Sequence, residues 1–159
     1  MRTGILIALS LFSFLTLTAQ ESITFSTKNA SVHSSLEIPP GTKVGGTATL
    51  RIEVKPGTDW HVYSLEETGA YKNTVIVFSE SCAQIEAKGA PAEQGEKITE
   101  FDDIMGGNLN FFEGPAVFTQ EITLKGKKPR VEGFIEFQLC NGDKCIVMAE
   151  NFKLEGKVK

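Results

Sequence analysis

The chain is written mostly in period two. From Thr47 to Val54 (TATLRIEV) apolar and polar residues alternate, so that Ala48, Leu50, Ile52 and Val54 fall on one face before Lys55-Pro56-Gly57 supplies a turn. Val131 to Cys140 (VEGFIEFQLC) places Val131, Gly133, Ile135, Phe137 and Leu139 on one face. Glu132, Phe134, Glu136, Gln138 and Cys140 fall on the other. Trp60 to Ser64, Val75 to Phe78, Ala116 to Leu124 and Ile146 to Leu154 read as further strands, the apolar VIVF run suiting a central one. No stretch combines a helical period with caps, and turn signals recur at Pro39-Pro40-Gly41, Pro56-Gly57, Gly114-Pro115, Lys125-Gly126 and Asn141-Gly142. Short strands with this punctuation predict an all-β, antiparallel β-sandwich, with a core needing Leu50, Ile52, Val75, Val77, Ile135 and Phe137. The segment from Lys88 to Gly114 breaks the pattern. It is rich in Gly, Pro and charge yet spiked with Phe101, Ile104, Met105, Leu109, Phe111 and Phe112, as a functional loop or lid would be.

The first twenty residues differ in kind. Arg2 is followed by a largely apolar run from Ile5 to Leu17 and then by Thr18, Ala19 and Gln20, the layout of a secretory signal peptide. The run is shorter than the ~20 residues that span a bilayer; an uncleaved anchor is the alternative. Residues 21–159 then form a single domain. Net charge is −4. Nothing supplies the basic stripe that nucleic acid needs, and Lys125, Lys127, Lys128 and Arg130 cluster around Gly126 and Pro129 as a solvated turn. His33 and His61 are far apart in sequence, without clustered carboxylates, so no metal site is expected. Met105 and Met148 read as core rather than as soft metal ligands, and Trp60 as a core anchor. No cofactor and no bound small molecule is expected.

Export gives the three cysteines their meaning, because an oxidising compartment favours a disulfide. Cys140 and Cys145 flank Asn141-Gly142-Asp143-Lys144, a common hairpin-loop length with a turn-forming Asn-Gly. In that hairpin they face each other at ~4.5–5.5 Å between Cα atoms, within disulfide range. By parity Cys140 lies on the polar side of its strand, and neither cysteine reads as core. Cys82 is left over, and a lone cysteine is usually inert packing. A loop this short gains only ~2 kcal/mol from a bridge, against ~4.7 kcal/mol for a 100-residue loop, so the pair is poorly placed as a staple. Lys144 would favour a thiolate at Cys145, and Asp143 would oppose it. Spacing alone leaves a redox pair and a structural hairpin disulfide both open.

Trp60-His61-Val62-Tyr63-Ser64, Phe118-Thr119-Gln120-Glu121 and Phe137 through Cys145, in that order behind a signal-like segment, resemble the N-terminal periplasmic domain of the thiol:disulfide interchange protein DsbD and its free-standing disulfide bond corrector-like relatives. The resemblance runs from about Thr47 to Leu154. It implies an immunoglobulin-like fold in which Cys140 and Cys145 receive electrons from a membrane-embedded thiol:disulfide reductase and pass them to periplasmic thioredoxin-fold proteins. It also implies a cap loop at Phe101 to Gly106, with Asp102 and Asp103 matching and Ile104-Met105 standing at the usual aromatic tip. Tyr63 matches a site-lining tyrosine, and His61 stands at an often aromatic position. The prolines common after the second cysteine are replaced by Ile146-Val147-Met148. A lid reading follows: Ile104 or Met105 within ~4 Å of the cysteines. The alternative class of function is a non-catalytic immunoglobulin-like binding or assembly module.

Overall fold

A computed structural model describes residues 21–66, 71–104 and 106–159. Among these residues eleven strands run in chain order: β1 (Ser22–Ser26), β2 (Ala30–Glu37), β3 (Thr47–Pro56), β4 (His61–Tyr63), β5 (Val75–Phe78), β6 (Ile85–Gln94), β7 (Lys97–Asp102), β8 (Gly107–Phe112), β9 (Ala116–Leu124), β10 (Arg130–Cys140) and β11 (Cys145–Glu155). Among the described residues there is no helix. One sheet has the order β1-β2-β3-β9-β6, and the other has the order β11-β10-β4-β8-β7 with β5 also on β10. Every pairing is antiparallel. The fold is an immunoglobulin-like β-sandwich, as the sequence predicts.

Alternation builds the core. Ala48, Leu50, Ile52 and Val54 of β3 meet Val131, Ile135, Phe137 and Leu139 of β10 between the sheets, all but fully buried. Removing this apolar surface from water is the main driving force for folding. Val75 and Val77 depart from the expected core. β5 pairs only with β10, and it turns Ile76 and Phe78 inward while Val77 is exposed. The VIVF run is therefore not a central strand. β4 and β5 lie end to end along one edge of β10, β5 at Gly133–Glu136 and β4 at Leu139–Cys140.

The stretch read as a long loop from Lys88 to Gly114 is instead mostly strand, comprising most of β6 and the β7–β8 hairpin. β6 is an edge strand with an irregular register between Lys88 and Ala92, where Pro91 sits. Buried Gln120 on β9 donates from Nε2 to the carbonyls of Lys88 (3.0 Å) and Gly89 (3.2 Å) at this irregularity.

Candidate functional site

β10 and β11 meet at a tight hairpin. Asn141 N–H donates to the Lys144 carbonyl (3.0 Å), while Asn141 Oδ1 accepts from the N–H groups of Asp143 (3.1 Å) and Lys144 (3.0 Å). This side-chain turn brings Cys140 opposite Cys145, with Cα atoms 4.1 Å apart and the sulfurs bonded. Cys82 is free; its sulfur takes part in hydrogen bonds with the Glu132 backbone, as donor to O (3.1 Å) and acceptor from N (3.3 Å). That satisfied setting is the packing role expected of it.

The two bridged sulfurs are not equivalent. Cys145 is exposed, whereas Cys140 is 3 % exposed. The period-two reading placed Cys140 on the side of the sheet opposite Leu139, which is correct, but inferred that this side is wet, which is not. Cys140, Tyr63 and Phe111 form a second small buried cluster with Tyr71, Ile98 and Leu109 packed against it. Tyr71 stacks on Tyr63 at 5.1 Å between ring centroids, with an interplanar angle of 20°. His61, directly opposite Cys140 on the ladder, lies 4.5 Å from Phe111 and 5.3 Å from Tyr63, ring to ring. Tyr71 is a site residue that the sequence reading does not name, and Phe111 and Gln138 enter it only as an apolar spike of the expected loop and a polar position on β10. Leu109 and Phe111, at period two, were the available signal.

The segment before β5 closes over this face. Thr74 donates its N–H to the Ser64 carbonyl (2.8 Å) and its hydroxyl to the Tyr63 carbonyl. Lys72 N–H donates to Gln138 Oε1 (2.9 Å), and the Lys72 ammonium pairs with Glu136 (3.2 Å). At the hairpin turn the Lys144 ammonium stands 5.9 Å over the Trp60 ring, a cation–π placement.

The segment expected as a cap is built as a strand end and a tight turn. Phe101 to Gly106 belongs to the end of β7 and the β7–β8 turn, closed by Asp102, whose carboxylate accepts from Ile104 N–H (2.8 Å) and whose carbonyl accepts from Gly106 N–H (2.8 Å). Ile104 is 92 % exposed, so it covers neither cysteine. Met105 lies outside the described residues. Asp103 is exposed on the turn, while Asp102 is half-buried and near Tyr63. Burial, then Tyr71, Asp102 and Glu100, push the Tyr63 phenol up to about 12, so the ring acts as a neutral cover. Tyr63 and Phe111 pack on Cys140 from within the sheet.

Burial lowers the His61 pKa from 6.5, against the smaller opposing fields of Glu113 and Glu100. A histidine favoured neutral in the fold contributes stability that is complete above its unfolded pKa and is lost as pH falls from about 6.5 through the folded value. The Tm should therefore drop below pH 6.5 more steeply in the parent than in His61→Phe. Parallel thermal melts from pH 7.5 to 5 check this; identical slopes would mean that His61 does not carry the effect.

No protein-family model and no curated protein matches the sequence. Solved structures do. The N-terminal periplasmic domain of ScsB from Proteus mirabilis superposes with a TM-score of 0.61 at 14 % identity, over 86 % of this chain and 51 % of that one, so the chain spans about half the length of that structure. The Neisseria meningitidis DsbD N-terminal domain in its reduced form gives 0.46 at 11 % identity, over 79 % and 85 % of the two chains. The chain thus shares its fold with the ScsB periplasmic domain.

Proposed function

We propose that this is a thiol–disulfide exchange domain, exported by a signal peptide at residues 1–20 and folded over residues 21–159 in the periplasm. In this reading it passes reducing equivalents through Cys140 and Cys145, from a membrane-embedded thiol:disulfide reductase to exported thioredoxin-fold proteins. The observation that carries it is the asymmetric disulfide: an exposed Cys145 bonded to a Cys140 buried beneath an aromatic cover. Exchange needs one sulfur open to an incoming thiolate and another able to leave. A hairpin bridge provides both without unfolding the sandwich, because Leu50, Ile52, Ile135 and Phe137 pack independently of it. The shared fold with a periplasmic domain fits the proposed location. Tyr63, His61, Asp102 and Asp103 are the proposed lining of the site.

Equilibration with glutathione and dithiothreitol series, read by alkylation of Cys140 and Cys145, tests the assignment. A potential in the range of exchange proteins, about −270 to −120 mV, is expected; one below about −300 mV would make the bridge a structural staple and favour an assembly module. Replacing both cysteines by serine should cost about 2 kcal/mol or less and leave denaturant unfolding cooperative. Loss of cooperativity would also favour the structural reading.

A further inference from the structure

Gln138 sits two residues before Cys140 on the same face of β10 and is 8 % exposed. Its Oε1 accepts from Lys72 N–H at 2.9 Å, and its Nε2 lies 3.3 Å from Cys140 Sγ. The Lys72 N–H can only donate, so it fixes which end of the amide is oxygen, and the sulfur receives an N–H donor. A disulfide sulfur is a weak acceptor, whereas a thiolate is a strong one. The contact therefore strengthens when the bridge opens.

We propose that Gln138 stabilises the thiolate that leaves on Cys140, and so sets how readily the pair is reduced. This rests on the exchange reading above. An incoming thiolate gives its electron pair to Cys145 Sγ and a new S–S bond forms there. The Cys140–Cys145 bond breaks, and its pair stays on Cys140 Sγ. A second thiolate of the same dithiol donor then attacks the donor's own sulfur in the mixed disulfide and releases Cys145 as thiolate. The donor is oxidised to its disulfide, and the pair takes up two electrons and, from solvent, its protons.

In the first step negative charge appears on the sulfur held beneath Tyr63 and Phe111, where water reaches it poorly. Leaving-group thiols of lower pKa leave faster, and a fixed donor lowers the pKa of the group it faces. The Lys72 backbone, on the segment that crosses Tyr63, aims that donor.

The test uses the full chain in a Cys82→Ala background and compares the parent with Gln138→Met and Gln138→Glu. Methionine keeps the length and apolar stem but removes the donor. Glutamate keeps an acceptor for Lys72 N–H but brings negative charge to the sulfur. His61 and Tyr63 on β4, Glu100 and Asp102 on β7, Glu113 after β8, Glu136 on β10, Tyr71 and Lys72 before β5, and Asp143 and Lys144 in the hairpin turn are the other titratable groups around the pair, and all variants share them. Reduction by dithiothreitol at pH 8 should slow about tenfold in Gln138→Met, as expected for losing a hydrogen bond to a charged group, and at least as much in Gln138→Glu. The thiolate absorbance of both reduced variants should rise at higher pH than in the parent. A tenfold change in the equilibrium corresponds to about 30 mV. Thermal melts confirm that each variant is folded. If the parent is reversibly reduced but the variants match it in rate and titration, Gln138 has no such role. If the parent itself resists dithiothreitol, the exchange reading fails first.

Discussion

With Cys82 replaced by alanine, the Cys145 thiol of Cys140→Ser should react with a small aromatic disulfide on the order of a hundredfold faster than the Cys140 thiol of Cys145→Ser, if uncovering Cys140 takes local opening of about 3 kcal/mol. The direction follows from burial. Cys145 begins β11 in the open, while Cys140 lies under Tyr63 and Phe111. Attack on a sulfur depends on access as well as on thiolate fraction, and only Cys145 offers access in the closed fold. The same asymmetry makes Cys140→Ser the variant that should trap a thioredoxin-fold protein as a mixed disulfide through Cys145. Stopped-flow thiol titration of the two single-cysteine proteins measures the ratio. Equal rates, or a faster Cys140, would mean that the aromatic cover does not select the attacked sulfur.

How far the sequence discloses the fold depends on whether a strand carries its own signal. β3, β9 and β10 alternate cleanly because each buries one face between the sheets, and their bounds lie within two residues of those read from pattern. β2 does the same less legibly: Ala30, Val32 and Leu36 point inward, but Ser34 takes the remaining inward position and breaks the apolar period. β6 has no apolar face to show, because it is an exposed edge strand whose stability comes from backbone pairing with β9. β7 and β8 were hidden among glycines and charges that belong to their turn and their exposed positions. Strand pairing across the chain is a tertiary fact, and edge strands record it weakly in their own residues.

The site was legible where it is local. Cys140 and Cys145 close one hairpin, so turn length and Asn141 sufficed to bring them together. Cover over Cys140 is not local: Phe111 comes from β8, Tyr63 from β4 and Tyr71 from the segment before β5. No spacing rule in one strand reports which face a distant element will roof. Parity places the Cys140 side chain on the correct face but misjudges its burial. Gln138 was visible as a polar residue on that face, but its meaning depends on Lys72, 66 positions away in sequence.

Gly133→Val should be the most damaging single change away from the cysteines, because it separates the strands that carry the site. Gly133 lies on β10 between Phe78 of β5 and Phe152 of β11, whose rings meet edge to face at 6.3 Å. A Cβ there would overlap the Val77 carbonyl oxygen and come within 3.0 Å of Phe152 Cζ and 3.1 Å of Phe78 Cα. Backbone cannot yield as a flexible side-chain end can, so β5 must leave β10 or the ladder must bend. A cost of about 4 kcal/mol is expected, within the range of severe overpacking changes, lowering the Tm by about 15 °C. Gly142→Ala is the control, since a Cβ at Gly142 in the hairpin turn meets nothing within 4 Å, and it should stay within about 0.5 kcal/mol of the parent. The damage should reach the chemistry. β5 is continuous with the segment from Tyr71 to Thr74, which stacks on Tyr63 and pins Gln138. Loosening it should raise the reactivity of Cys140 in the Cys145→Ser background while leaving exposed Cys145 unaffected in Cys140→Ser. A destabilised protein in which both thiols keep their parental rates would show that β5 supports the fold without guarding the sulfur.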